Sequence, residues 1–311
     1  MNSYTHVPVM LGEAVDALQP RDAGVYLDGT FGGGGYAQAI LTRAACHLYA
    51  IDRDLEAVSR AQRLVSAFPE RFEIIPGRIS ELAEMLAARG VLGLDGAVFD
   101  LGLSSYQIDD PARGFSFRQD GPLDMRMGQT GRSAAEIVNS YAEAALADIL
   151  FNYGDEKASR RVARAIIERR AEKKFTTTSD LASVIRSVVR ADKSGIDPAT
   201  RSFQALRIAV NEELTDIEAA LRQAASLLRP GGRLVVVSFH SLEDRIVKQF
   251  FAASVGRLPG ASRHDPAGLK PAMAPSFKLV TKGAVAPGVT EIRTNPRARS
   301  AKLRVMERLA A

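Results

Sequence analysis

Cysteine is nearly absent. Cys46 stands alone among 311 residues, so no disulfide can close within the chain. It sits at the edge of an apolar run and reads as a small core residue. Tryptophan is missing, and only His6, His47, His240 and His264 carry an imidazole. None of the four falls at metal-ligand spacing, and a single thiol adds little, so no metal site is expected. No apolar run reaches the roughly 20 residues that cross a bilayer. The opening Met1-Asn-Ser-Tyr-Thr-His-Val-Pro8 lacks the basic start and apolar core of a secretion signal. A G-x-S-x-G elbow is also missing, which argues against a serine hydrolase of that class. These absences exclude an internal disulfide scaffold and an apolar helix long enough to span a bilayer, and they fit a reducing cytoplasm.

What remains is an ordinary globular composition, 46% hydrophobic and 25% charged, in a chain long enough for a large core and two domains. The net charge is +5, a modest excess compatible with a polyanionic partner. Its distribution says more than its size. Between Lys157 and Lys174 there are eight basic residues and two acids. Arg293, Arg297, Arg299, Lys302, Arg304 and Arg308 follow near the end, against Glu307 alone. Each cluster taken singly can be a solvated face; two of them beside a nucleotide-type site favour phosphate contacts. Arg160, Arg161 and Arg164 share one helical face with Lys157, while Ala158, Val162 and Ile166 line another.

From residue 25 to 100 the pattern alternates strand and helix. Strands are expected at Val25–Asp28, His47–Asp52, Phe72–Ile75 and Gly96–Leu101, with helices at Tyr36–Ala44, Leu55–Ala67 and Leu82–Arg89. Such alternation predicts a parallel sheet covered on both faces. The rhythm breaks over 109–205, where helical patterns dominate; Ser133 with Glu136 spells a capping box, and Thr178 or Ser179 is the expected cap of the helix through Val189. It resumes over 206–311. Leu214, Ile217, Leu221, Ala224 and Leu228 mark a buried stripe ended by Pro230-Gly231-Gly232. Then come a valine-rich strand, Arg233–Phe239, a helix from Leu242, a Pro/Gly/Lys-rich loop with edge strands over 256–290, and a last strand at Lys302–Arg308. The reading is an α/β domain in two parts, 1–108 and 206–311, interrupted by an inserted all-helical domain at 109–205.

The first strand ends Asp28-Gly-Thr-Phe-Gly-Gly-Gly-Gly-Tyr36 and the second ends Ala50-Ile-Asp52. Glycine lets bare backbone approach a ligand, and an acid about 20 residues on is placed to grip ribose hydroxyls. Glycine runs also close tight corners with no ligand at all; Asp52 is what tips the reading toward a nucleoside cofactor. A pyrophosphate cofactor wants a third glycine where Tyr36-Ala-Gln stands. S-adenosylmethionine leads among cofactors that need no pyrophosphate cradle. The fourth strand runs into Asp100-Leu-Gly-Leu-Ser-Ser-Tyr-Gln107, so Asp100, Ser104, Ser105 and Gln107 are candidates at the carboxyl edge of the sheet. His240, after the fifth strand, reads as a base, a substrate hydrogen-bonder or a helix cap. Gly114-Phe-Ser-Phe117 and Gly121-Pro-Leu-Asp-Met-Arg-Met127 suggest a pocket wall with Asp124 and Arg126 facing in, or a packed loop. His6-Val-Pro-Val-Met10 reads as an arm over the cofactor or an anchoring strand, and Asn295-Pro-Arg-Ala-Arg-Ser300 as an exposed basic turn.

With these strings together, and with Ala199-Thr-Arg-Ser-Phe-Gln-Ala-Leu-Arg207 and Ser238-Phe-His-Ser-Leu-Glu-Asp-Arg245 added, the chain resembles the bacterial small-subunit ribosomal RNA methyltransferase H family along nearly its whole length. The resemblance implies a doubly wound, mostly parallel class I methyltransferase-like sheet ending in an antiparallel strand. It implies S-adenosyl-L-methionine as cofactor and the exocyclic N4 of a decoding-region cytidine in 16S rRNA as methyl acceptor, with the small ribosomal subunit as partner and the cytoplasm as location. Cofactor positions map onto Gly34, Gly35, Tyr36, Asp52, Ile79, Asp100 and Gln107. Tyr36 stands where His is common and Ile79 where an aromatic is common. Ser105, Asp124 and His240 are the candidate proton acceptors, and Arg160, Arg161, Arg164, Arg297 and Arg299 the candidate RNA contacts. A homodimer is compatible with the sequence, which does not specify the oligomeric state. Two rivals remain open at this point: a nicotinamide-dependent reductase, and a ribosome-assembly factor that binds RNA without turnover.

Overall fold

The structure is a computed structural model that describes residues 8–128, 130–191, 195–257 and 275–310. His6 and His264 lie outside the described residues. The chain forms two compact units, Met1–Gly102 with Leu214–Ala311, and Leu103–Glu213. The seams fall a few residues outside the 109–205 interval. Helix Ala199–Asn211 explains one of them, because its Phe203, Ala205 and Leu206 all pack in the core of the second unit.

The first unit opens with α1 (Leu11–Leu18), followed by β1 (Val25–Asp28), α2 (Gly35–Arg43), β2 (His47–Asp52), α3 (Leu55–Ala67), β3 (Phe72–Pro76), α4 (Leu82–Ala87) and β4 (Leu94–Asp100). The second unit contains α5 (Ser105–Asp109), α6 (Ala134–Ser140), α7 (Glu143–Gly154), α8 (Ser159–Glu172), α9 (Thr178–Val188) and α10 (Ala199–Asn211). The chain then returns to the first through α11 (Glu213–Leu227), β5 (Leu228–Ser238), α12 (Ser241–Ser254), β6 (Phe277–Leu279), α13 (Val289–Thr294) and β7 (Lys302–Arg308).

The seven strands lie in the order β3-β2-β1-β4-β5-β7-β6. β1 to β5 are parallel, and β7 runs antiparallel to both β5 and β6. Strand order reverses between β1 and β4, which makes their carboxyl ends the switch point where open α/β sheets bind ligands. The central strands are apolar on both sides, as a covered parallel sheet requires: Val235, Val236 and Val237 are all buried. One face packs Ile40, Leu41 and Ala61 from α2 and α3; the other packs Leu86, Leu221 and Phe251 from α4, α11 and α12. Cys46 is a buried member of the first of these cores. Each fully buried Leu, Ile or Phe contributes about 1.5–3 kcal/mol relative to exposure.

The helical unit has its own core, with Leu146, Leu150, Val162, Ile166, Leu181 and Leu206 at its centre. Ser133 and Glu136 form the capping box read from the sequence. The cap of α9 is Thr177, whose side chain accepts from the Asp180 N–H; Thr178 is instead the first helical residue, fully buried, with its hydroxyl taking the Gly121 N–H at 3.2 Å. Gly121 passes so close to Pro111 that a Cβ would lie 1.9 Å from its carbonyl oxygen. The buried amide of Asn211 completes the anchoring of this loop, donating to Met125 O at 2.7 Å and accepting from Met127 N at 2.8 Å.

Candidate cofactor site

Three strands of the first unit end in aspartate: Asp28 on β1, Asp52 on β2 and Asp100 on β4. The loop after β1 is stitched to both neighbours. Gly29 N donates to Val98 O at 2.9 Å, Phe31 N to Ile51 O at 3.1 Å, and the Asp100 N–H to Thr30 Oγ1 at 2.6 Å. Gly34 has φ +78° and caps α2; a Cβ there would meet the Phe31 ring at 2.6 Å and Leu64 at 2.9 Å, so glycine is required both by conformation and by space. Gly35 follows as the first helical residue, packed against Pro8.

Asp52 is oriented by backbone amides on both oxygens. Gly32 N reaches Oδ2 at 2.8 Å and Asp54 N reaches Oδ1 at 2.9 Å. Burial still raises its pKa against those two hydrogen bonds. Asp28 accepts the Thr30 N–H at 3.1 Å through Oδ1, while no donor among the described residues reaches its Oδ2 with hydrogen-bond geometry. Burial pushes Asp28 up to about 7, with the Asp52 charge adding to it and the amides of Thr30 and Ala37 pulling the other way. Asp100 goes further. Burial lifts it well above the usual carboxylate range, the charges of Asp28 and Glu243 reinforce the effect, and its Oδ1 has no hydrogen-bond partner among the described residues. No cation acts on Asp28 or Asp100 among the described residues. Two carboxyls, each with a buried and unpartnered oxygen, beside a bare glycine loop form a socket for a cationic or hydroxyl-bearing ligand.

The loop bearing Ile79 is held in register with Asp52. Gly77 N donates to the Asp52 carbonyl at 3.0 Å. Arg78 clasps buried Asp216 of α11 (Nη2–Oδ1 3.0 Å, Nε–Oδ2 3.1 Å), and Arg53 reaches the same carboxylate at 3.4 Å. Gln223, two turns along α11, accepts from Ala83 N and donates to Ser80 O. Ile79 begins a 3₁₀ turn, Ile79–Glu81, and packs part-buried against the core. The sequence reading passed over Asp216, since its partners stand far away in the chain.

The other candidates make the following contacts, His240 in the helix-cap role that is one of its three sequence readings. The Tyr36 hydroxyl is buried and donates to the Val9 carbonyl, so this side chain anchors the arm Pro8–Met10, whose Met10 N in turn donates to Glu291 Oε1 at 2.7 Å. Gln107 belongs to the second unit; its side chain accepts from Ser104 N at 3.1 Å and its N–H donates to Ser104 Oγ at 3.3 Å, a capping box for α5, in which Ser105 is the first residue. Asp124 faces Arg126 in a two-bonded ion pair (2.9 and 2.7 Å). Burial pushes its carboxyl up, but the hydrogen bonds and charge of Arg126 outweigh that and hold it below the usual range. His240 is the N-cap of α12, with Nδ1 taking the Glu243 N–H at 3.4 Å and Nε2 3.0 Å from Glu243 Oε1.

The two basic clusters separate cleanly. On α8, Arg160 and Arg161 are exposed and Arg164 makes one loose pair with Glu143 at 3.6 Å. Arg169 is held by Asp180 and lies over the Phe175 ring, and Arg170 donates to the carbonyls of Val138 and Tyr141. In the C-terminal cluster, Lys302 and Arg304 pair with Asp244 and Arg308 binds the carbonyls of Ala225 and Ser226. Those three tie β7 to α12 and α11, while Arg297 and Arg299 are exposed on the 3₁₀ turn Pro296–Ser300.

A family model described as the MraW methylase family matches residues 3–309. The chain belongs to the MraW methylase family. Among curated relatives it is similar to the ribosomal RNA small subunit methyltransferase H of Acidiphilium cryptum, 63% identical over 99% of this chain and 98% of the relative. The proteins of the same name from Granulibacter bethesdensis (56% identity; 97% and 91% covered) and Rhodospirillum rubrum (55%; 99% and 96%) are similar over comparable spans. A solved rRNA methylase from Streptococcus thermophilus aligns over 96% of this chain and 94% of its own, with TM-score 0.42 and 11% identity. The sheet of this MraW methylase family member, parallel but for its inserted β7, is of the class I methyltransferase type. No helix among the described residues is long and apolar enough to cross a membrane.

Proposed function

We propose that the chain is an S-adenosyl-L-methionine-dependent methyltransferase that acts on the exocyclic N4 of a cytidine in 16S rRNA of the small ribosomal subunit, in the cytoplasm. The observation that carries the reading is the pair of strand-tip carboxyls, buried Asp28 and half-buried Asp100, each with one buried oxygen lacking a partner and with no cation acting on either among the described residues. A dinucleotide brings a pyrophosphate, and two anions at a carboxylate-lined loop repel. The adenosyl donor brings a sulfonium and an ammonium, which such carboxyls attract strongly in a low-dielectric setting. The same fact disfavours the reductase reading.

The residues fit the donor by role. Asp52, pre-oriented by two amides, takes ribose hydroxyls. The Gly32–Gly35 backbone admits the amino-acid portion, Asp28 and Asp100 face the positive charge, and Ile79 packs on the adenine. When bound, the donor supplies a methyl group already activated by the sulfonium. The protein then contributes position: a near-attack geometry for N4 is worth several kcal/mol. The N4 lone pair is delocalised into the ring, so an acceptor for its proton is needed, directly or through water. Ser105, Asp124 and His240 are assigned as the candidates; Asp124, held low by Arg126, is a weaker base than an ordinary carboxylate. Arg160, Arg161, Arg164, Arg297 and Arg299 hold phosphates of the folded RNA. Extruding the cytidine from a stack costs a few kcal/mol unless it is already unstacked.

The deciding experiment incubates the purified chain with labelled donor and either small subunits or bare rRNA, and identifies the modified nucleoside by mass. Methyl label on cytidine N4 supports the reading. Donor binding without any transfer leaves an assembly factor, and no calorimetric heat with the donor removes the reading altogether.

A further inference from the structure

Gly114-Phe-Ser-Phe117 lies in the helical unit, and its last ring is placed for contact. Phe117 is part-exposed in the helical unit. Phe203 meets it edge-on, with ring centroids 4.7 Å apart, and the Arg186 guanidinium lies over its face at 5.3 Å. Arg186 is oriented there by Asp197, which accepts from Nε and Nη2 at 3.2 and 2.9 Å and also accepts the Ala199 N–H at 2.9 Å at the start of α10. Phe117, Arg186 and Asp197 line a cleft of about 650 Å³ together with Arg118, Ile196 and Thr200. That volume suits a small ligand.

The cleft's chemistry is specific. Asp197 neutralises Arg186 and leaves a flat, nearly neutral cation–aromatic stack, a surface on which a nucleobase rests. Ile196 is 46% exposed and adds an apolar flank. Thr200 offers a hydroxyl that both donates and accepts toward a base edge. Arg118 is exposed and, among the described lining residues, carries the charge that no lining carboxylate pairs. A planar heterocycle joined to a phosphate satisfies all four features; an acidic peptide would use the arginine alone.

We propose that this cleft takes one unpaired nucleotide of the RNA substrate, its base stacked on the Phe117–Arg186 pair and its phosphate on Arg118. The proposal rests on the RNA-methyltransferase reading and adds a contact that does not involve the adenosyl donor. The test titrates a fluorescent single-stranded RNA ten-mer, and a duplex of the same sequence, into the full-length chain by anisotropy. Phe117→Leu and Arg118→Glu each weaken ten-mer binding about tenfold. Arg118→Glu also lowers the salt slope by about 0.7, whereas Phe117→Leu leaves the slope unchanged. Duplex binding and calorimetric donor affinity stay at wild-type values in both. Wild-type ten-mer affinity in Arg118→Glu, equal losses on duplex, or retention of an acidic peptide in place of RNA overturns the proposal. Arg118 is exposed, so its variant decides even if Phe117→Leu melts early. Failure of the wild-type chain to methylate small subunits, with the ten-mer effects intact, would sink the catalytic reading and leave the cleft standing as an RNA site.

Discussion

Two carboxylates of the helical unit, Asp124 and Asp197, and two at the strand tips of the α/β unit, Asp28 and Asp100, shift in opposite senses. In the helical unit Asp197 sits below the usual range through its hydrogen bonds to Arg186, and Asp124 through Arg126, against the effect of burial. At the tips Asp28 and Asp100 sit above it because burial acts without an answering cation. The first group holds its own fold. The second costs the empty fold stability, and a ligand of the right charge reverses that cost.

The signs follow from proton linkage. Asp124 and Asp197 stabilise above the unfolded value near 4, and that contribution disappears as pH falls through their lower folded values. Asp28 and Asp100 destabilise progressively as pH rises from near 4 toward their folded values, about 7 for Asp28.

The largest expected effect therefore comes from neutralising the tips. In Asp28→Asn,Asp100→Asn, donor affinity measured by calorimetry falls by roughly a hundredfold or more, as two buried charge contacts are lost. The ligand-free melting temperature at pH 8 rises by several degrees, and the rise shrinks toward pH 5. A double variant that melts lower at pH 8 and still binds donor breaks the comparison. Next is the helical unit's exposed face. Arg160→Glu,Arg161→Glu,Arg164→Glu weakens RNA binding by roughly an order of magnitude and flattens the log–log salt slope by about 2, with donor affinity untouched; an unchanged slope assigns these arginines to structure. Asp216→Ala releases Arg53 and Arg78 together, so the loops of Asp52 and Ile79 lose their common post. Donor Kd rises about tenfold at an unchanged kcat, and Asp216→Glu restores part of it, which a general loss of folding would not allow. Smallest is His240→Ala. Loss of a helix cap costs about 1 kcal/mol, read as a drop of roughly 2–4 °C in Tm, and a collapse of turnover at full donor binding would promote His240 from cap to proton acceptor.

The parts of the fold visible in the chain itself were those built from neighbours in sequence. An apolar run closed by Asp and opened by glycine marks β1, and Lys302–Arg308 marks β7, because strand burial writes itself locally. The helix Leu11–Leu18 escaped notice: it is short, and Gly12 masks its stripe. Partnerships across long separations were silent. Nothing near Tyr36 says that its hydroxyl meets Val9 rather than a ligand. Nothing near Lys302 or Arg304 says that Asp244 waits for them, so the sequence shows only a basic tail where the fold ties β7 to α12. Asp28 was in plain view as a strand-end acid, yet its importance arises from burial without a cation, a property of the assembled tips.

The interruption of the sheet by Leu103–Glu213 bears on how the chain is made. A ribosome delivers β1 to β4 first, so β4 emerges with a naked flank and has to wait while the whole intervening module is translated before β5 arrives to zip onto it. The interposed helices own a separate core and can condense during the delay. Birth order thus sets the order of maturation: the half-built platform stays exposed longest, and the glycine loop gains its final brace only when Glu291, near the far terminus, reaches Met10.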